Sequence, residues 1–239
     1  MKILLLTDLH LFDTRMSPER DRERLEKLGC FINESGAEAV LNLGDTISRS
    51  ALLRPECPSG REGFRAYLRW RAQFRIPFAE CALVRELDFF SSLMGQEPEA
   101  VLECGDAAVI TATPRESGEH SFTPAQLDFL FAALDRCRKK GLSVVIGTHV
   151  PYPGSCSRKE APGIFLEIPP ELHETLTAFP RPVWWCGGHF HWAPEPPGVT
   201  GSLTALYAGR FRLDTRKDTT YLRLIDTATG RIDTVFPDF

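Results

Sequence analysis

Apolar and polar positions alternate along the chain in blocks that read as strands delivering polar residues to loops. Ile3 to Leu6 is a continuous apolar run that stops at Asp8-Leu9-His10, the pattern of a buried strand with a polar loop at its C-terminal end. Ser17-Pro18 then supplies an N-cap with proline at the first helical position. Leu25, Leu28, Phe31 and Ile32 follow at helical spacing, and Gly36 closes the segment. A second apolar stretch, Ala39 to Leu43, runs into Gly44-Asp45. The order strand, helix, strand makes a βαβ unit with parallel neighbours. Asp8, His10 and Asp45 are therefore expected at one sheet edge, where open α/β sheets bind ligands.

Residues 61 to 94 read as helical, broken at Pro77, with stripes at Phe64, Leu68 and Arg71 and then at Leu83, Leu87, Phe90 and Met94. The Pro-, Arg- and Ser-rich stretch from Ser48 to Gly60 reads as a loop, a candidate lid. Gly105-Asp106 between two apolar runs predicts a hairpin. Thr123-Pro124-Ala125-Gln126 is a capping box opening a helix that ends at Gly141. Leu142 to Ile146 and Pro182 to Cys186 are strands running into Gly147-Thr148-His149 and Gly187-Gly188-His189-Phe190-His191. The end of the chain alternates as antiparallel strands do, at Leu203 to Tyr207, Thr220 to Ile225 and Arg231 to Phe236, with a turn over residues 226–230. No repeat or linker interrupts the 239 residues, so one domain, 1–239, is expected.

Composition narrows the class. Hydrophobic residues are 43% and charged residues 25%, which fits a globular protein and excludes a disordered one. A net charge of −4 with scattered Lys and Arg gives no sign of general nucleic-acid binding. Seven cysteines without a CxxC pair supply neither a disulfide framework nor a zinc-finger spacing. The opening apolar run is too short for a signal peptide, and no stretch approaches the roughly 20 apolar residues of a membrane span. A cytoplasmic protein without membrane association is expected; the oligomeric state is not legible.

The chemistry sits where strands end. Asp8, His10, Asp45, His149, His189 and His191 are all metal-ligand types, and they include four of the six histidines. Residues two apart in extended chain share a side, so Asp8 with His10, and His189 with His191, can each face one space. Imidazole and carboxylate without thiolate suit Mn, Fe or Zn. Six ligands exceed the needs of one tetrahedral ion, which points to a two-metal centre able to clamp a phosphoryl group.

Asp8-x-His10, Gly44-Asp45, Gly147-x-His149 and Gly188-His189-x-His191 resemble the successive motifs of calcineurin-like metallophosphoesterases. The similarity runs from Ile3 to the C-terminal strands, and the class III cyclic-nucleotide phosphodiesterase-like branch is the most similar. The resemblance implies a four-layer α/β/β/α sandwich of two mixed sheets flanked by helices. It also implies hydrolysis of a phosphomonoester or phosphodiester, from a small molecule or nucleotide, by a metal-bridged hydroxide. Asp8, His10, Asp45 and His191 would hold one divalent ion. Asp45, as a bridging and catalytic residue, would share a second with His149 and His189.

One motif departs. The family's Gly-Asn-His-Asp/Glu element after the second metal motif is missing, and the only asparagines, Asn33 and Asn42, precede Asp45. A weakened second metal site and poor protonation of leaving groups follow, a positioned acid being worth about 10²–10⁴-fold. His120 is the candidate catalytic replacement, with Gln73, Glu80 and Cys81 near the expected position; His173 reads as surface. Trp192 is a candidate substrate-binding platform, and Arg49, Arg54, Arg61, Arg158 and Lys159 are candidate phosphate contacts. The alternative function is a weakened or inactive metal- or nucleotide-binding regulatory module of the same fold.

Overall fold

The computed structural model describes residues 1–13, 17–52, 59–157, 164–211 and 220–236. In chain order its elements are β1 (Lys2–Leu6), α1 (Pro18–Glu34), β2 (Ala39–Asn42), α2 (Arg49–Leu52), α3 (Ser59–Arg71), β3 (Phe78–Glu80), α4 (Leu87–Phe89), β4 (Ala100–Cys104), β5 (Ala107–Thr111), α5 (Pro124–Lys140), β6 (Ser143–Gly147), α6 (Pro170–Thr177), β7 (Val183–Gly187), β8 (Gly198–Thr200), β9 (Leu203–Tyr207), β10 (Leu222–Asp226) and β11 (Arg231–Val235).

Two mixed sheets form, ordered β11-β10-β1-β2-β3 and β4-β5-β6-β7-β9-β8. Side-chain alternation sorts each strand into two cores. Ile3 and Leu5 point between the sheets with Leu41, Val109, Val145, Trp184 and Cys186. Leu4 and Leu6 point the other way, onto Leu25, Leu28 and Ile32 of α1 and Phe64 and Tyr67 of α3. On the far side Ile110, Ile146 and Trp185 meet Leu130 and Leu134 of α5 and Leu172 and Leu176 of α6. The layers are therefore helix, sheet, sheet, helix, as expected.

Local signals hold at several ends. Ser17 caps α1 with Pro18 in the first turn. Thr123 and Gln126 form the reciprocal capping box of α5, and Gly141 ends it in the left-handed conformation. The hairpin of β4 and β5 turns through Gly105.

Other segments differ from the pattern. The stretch expected to be helical over 61–94 contains β3, which pairs parallel with β2 (Val40↔Phe78, Asn42↔Glu80). Only three residues long, β3 carries no alternation that would separate it from the flanking helical stripes. After it come a short 3₁₀ turn at Val84–Glu86, the one-turn α4, and a wide π-type turn at Phe90–Met94. Leu203 to Tyr207 is antiparallel to β8 but parallel to β7. The lid expected at Ser48 to Gly60 includes α2; residues 53–58 within it lie outside the described residues.

Candidate metal centre

Both sheets end at the same place. β1 and β2 are parallel, as are β6 and β7, so the loops after all four meet at one edge of the sandwich. Backbone bonds stitch those loops together: Asp8 N donates to Gly44 O, His10 N to Asp45 O, and Gly188 N to His149 O. Four of the six candidate ligands, Asp8, His10, Asp45 and His189, hold φ between 45° and 67°. Left-handed backbone is uncommon for residues with a Cβ and clusters at functional sites. The pairs Asp8/His10 and His189/His191 therefore converge by sharp turns past the strand ends, and the extended alternation expected from sequence does not operate there. Gly188 makes the close approach possible, since a Cβ on it would overlap Thr7 Oγ1 and lie 3.0 Å from Asp8 Oδ2.

Asp8 is at the centre and almost wholly buried. Its Oδ2 accepts from Thr7 Oγ1 at 2.6 Å and from His189 N at 2.9 Å. That leaves Oδ1 facing His191 Nε2 at 3.0 Å and His10 Nε2 at 3.6 Å. The two imidazole Nε2 atoms are 3.2 Å apart. Burial disfavours the Asp8 charge, but His149, the hydrogen bond from His191 and the charges of His10 and His191 outweigh it. Its carboxyl is held far below the usual carboxylate range.

Two sets of ligand atoms gather within 4.8 Å of one another: Asp8, His10 and His191, and Asp8, Asp45 and His149. Asp45 Oδ2 lies 3.5 Å from His10 Nδ1, so the sets adjoin. His149 Nδ1 donates to Leu43 O at 3.0 Å, which fixes the tautomer with Nε2 as an electron-pair donor. His149 Nε2 is buried without a hydrogen-bond partner among the described residues. A native buried polar atom left so is either costly or awaits a ligand. His189 packs edge-on to His149 with ring centroids 5.3 Å apart. Desolvation, and then the neighbouring His149, push its pKa down to about 4, so the ring is neutral near pH 7. A nitrogen and oxygen donor set with an orphaned imidazole fits a divalent cation.

The mouth is a cavity of about 460 Å³ lined by His10, Asp13, Ser48, Arg49, Ser50, His191 and Arg210. Arg210 Nη1 approaches His191 Nδ1 at 3.4 Å. Trp192 stacks on Phe190 with centroids 4.3 Å apart, and both line an adjoining cavity of about 240 Å³ with His189 and His191. A larger groove of about 1010 Å³ between α1 and α3 contains none of the six candidate ligands.

The remaining candidates fall elsewhere. His120 Nδ1 lies 3.1 Å from Phe165 O, outside both ligand sets, although its neighbour Glu119 accepts from Val84 N at 2.8 Å. Gln73 lines the groove between α1 and α3. Glu80 is buried and accepts from Tyr67 Oη and Asn42 Nδ2, each at 2.8 Å, and Cys81 belongs to the inter-sheet core. Both are structural. His173 Nδ1 bonds Tyr152 Oη at 2.6 Å. Arg61 is exposed on α3, whereas Arg54, Arg158 and Lys159 lie outside the described residues.

Three features around the candidate centre escape the sequence reading. Arg85 donates from Nη2 to Asp45 Oδ1 at 2.6 Å. Arg210 joins the mouth from beyond β9. Asp21 and Arg24 on α1 form a buried pair at 2.8 Å; Asp21 Oδ2 accepts from Phe12 N at 2.6 Å, and Arg24 donates to Leu9 O and Phe211 O. This pair grips the loop that carries His10.

Comparison with protein-family models finds no match, and neither does comparison with curated proteins. Among solved structures the chain is similar to a dimetal phosphatase from Danio rerio, at 12% identity and a TM-score of 0.67, covering 100% of this chain and 99% of that one. It is also similar to the purple acid phosphatase PPD1 of yellow lupin (Lupinus luteus) seeds, at 12% identity and a TM-score of 0.58, covering 100% of this chain and 54% of that one. The sulfate thiohydrolase SoxB of Thermus thermophilus is similar at 15% identity and a TM-score of 0.53, over 98% of this chain and 55% of that one. Two facing mixed sheets between helical layers, shared with these structures over nearly the whole chain, give this protein the calcineurin-like phosphoesterase fold.

Proposed function

We propose that the protein is a metal-dependent phosphoesterase acting on a phosphomonoester or phosphodiester. The observation that carries the reading is the convergence of Asp8, His10 and His191 beside Asp8, Asp45 and His149, with His149 Nε2 buried and unpartnered. Asp8, His10, Asp45 and His191 are the proposed ligands of one divalent ion; Asp45, His149 and His189 are those of a second, with Mn, Fe or Zn as the metal. Divalent ions at such a centre supply Lewis acidity and an activated water nucleophile. The chain's own contribution is orientation: Thr7 and the His189 amide turn Asp8, and Leu43 O sets the His149 tautomer. Arg49 and Arg210 at the mouth offset the charge of a bound phosphate, and Trp192 offers an aromatic face to a base or aryl group.

The fold alone does not choose the ester, since a phosphatase and a sulfate thiohydrolase both share it. The test is hydrolysis of p-nitrophenyl phosphate, bis-p-nitrophenyl phosphate and p-nitrophenyl sulfate by chelator-treated protein with and without Mn²⁺. Manganese-dependent turnover of a phosphate ester, abolished in Asp45→Ala, is expected. Equal rates without metal, or an unaffected Asp45→Ala, would remove the proposal. Leaving-group protonation falls to His120: His120→Ala is expected to slow alkyl esters more than aryl esters. Equal slowing of both classes would dismiss that role.

A second reading, a regulatory module that binds metal or nucleotide without turnover, is favoured by the arginine on Asp45. Full metal loading with no hydrolysis of any ester would select it.

A further inference from the structure

The turn after β3 brings to the centre a cation that none of the ligand motifs contains. Because β3 runs parallel to β2, this turn stands at the sheet edge that also carries Asp45. Arg85 Nη2 donates to Asp45 Oδ1 at 2.6 Å, while Oδ2 of the same carboxylate faces His10 Nδ1 at 3.5 Å. Asp45 therefore turns one oxygen toward the set of Asp8, His10 and His191 and gives the other to a guanidinium.

The turn is held on both sides. Glu86 accepts from Leu83 N at 3.1 Å and from Ile47 N at 3.4 Å, tying it to the loop after Asp45. Val84 N donates to Glu119 in the loop before α5. The Arg85 side chain is only 29% exposed, and its Nε is buried without a hydrogen-bond partner among the described residues. This is an arginine committed to the site and not a solvated surface charge.

We propose that Arg85 takes at Asp45 the charge position of a second divalent ion, so that the centre binds one divalent ion tightly and a second only weakly. The inference rests on the reading of these residues as a metal centre. A guanidinium stays protonated throughout the accessible pH range, and its bond to a carboxylate is charge-assisted. A divalent ion on Asp45 and His149 must either displace the guanidinium or sit beside a like charge, and both weaken its binding. His10 faces the other oxygen of Asp45, so an ion held by Asp8, His10 and His191 meets less of that penalty.

The experiment is a calorimetric titration of the chelator-treated protein with Mn²⁺, paired with electron paramagnetic resonance of the loaded protein. Wild type is compared with Arg85→Met, which removes the charge, and Arg85→Lys, which keeps it. Wild type is expected to take one tight equivalent and give an uncoupled manganese spectrum. Arg85→Met is expected to bind a second equivalent on the order of tenfold more tightly and to give a spin-coupled spectrum, with Arg85→Lys close to wild type. Two equivalents of similar affinity in wild type would overturn the assignment. So would a folded Arg85→Met with unchanged second-site affinity. If Arg85→Met fails to fold, the wild-type stoichiometry and spectrum decide alone. No binding by wild type would instead reject the metal-centre reading itself, and this assignment with it.

Discussion

Asp21 and Arg24 illustrate how much of the centre is set by residues that are not in it. Arg24 is 1% exposed, and it pairs with the Asp21 carboxylate one helical turn away. Together they fasten Leu9, Phe12 and Phe211, and with them the left-handed turn at His10. Removing one partner of a buried ion pair leaves a charge without compensation, at about 3–5 kcal/mol. Arg24→Met is therefore expected to lower unfolding free energy by about that amount and to weaken Mn²⁺ binding in whatever fraction stays folded. Denaturant titration and calorimetry measure the two effects; a stability within experimental error of wild type would refute the clamp. Gly188→Ala is expected to act more locally, because its methyl must push Thr7 Oγ1 and with it Asp8. A loss of metal affinity larger than its loss of stability is the expected signature. The six candidate ligands were legible in the sequence because aspartate and histidine are conspicuous just after apolar runs. Arg24 and Arg85 were not, because an arginine in a helical or turn-like stretch normally solvates a surface, and only tertiary contacts reveal the exceptions.

At the scale of elements, β3 is where sequence and structure part. Its three residues end in Glu80, which burial, against the opposing effects of Arg71, Tyr67 and Asn42, pushes up to about 7. Glu86, in the next turn, is pushed up to about 8 by burial and by the charge of Asp45. Both carboxyls are more readily neutral in the fold than at their ordinary value of 4.5. The sign follows from linkage: the stabilisation is complete below the unfolded pKa and is lost as pH rises through the folded value. Metal-free protein is therefore expected to lose thermal stability between about pH 6.5 and pH 8, above the range in which the lowered pKa of His189 acts in the opposite direction, and Glu80→Gln to flatten that slope. A melting temperature that climbs across this window would contradict the burial of neutral carboxyls. The helical stripes around Pro77 concealed β3 because a strand this short is defined by its pairing with β2, which no local pattern encodes. Longer elements such as α1 and α5 were readable, since caps and apolar spacing agree over 17 residues each.

For the whole molecule, the centre is a joint between two sheets. Asp8, His10 and Asp45 come from loops after β1 and β2, and His149, His189 and His191 from loops after β6 and β7. A cation held by both groups ties the halves of the sandwich, so metal binding and folding are coupled. Mn²⁺ at about a hundred times its Kd is expected to add about 2.7 kcal/mol of stability, with excess chelator reversing the gain. No stabilisation at saturating metal would mean that the ligands do not span the sheets as they stand here. The layer order was legible only through the family that the strand–loop motifs resemble. The parallel placement of β9 beside β7 was not, because alternation fixes which face a strand buries and is silent on its neighbour's direction.

The most direct test is anomalous diffraction at the manganese edge from crystals grown with Mn²⁺. A peak enclosed by Asp8, His10 and His191 is expected. An ordered map with no peak there, or with those three side chains turned away from one another, would contradict the assignment of this edge of the sandwich as a metal centre.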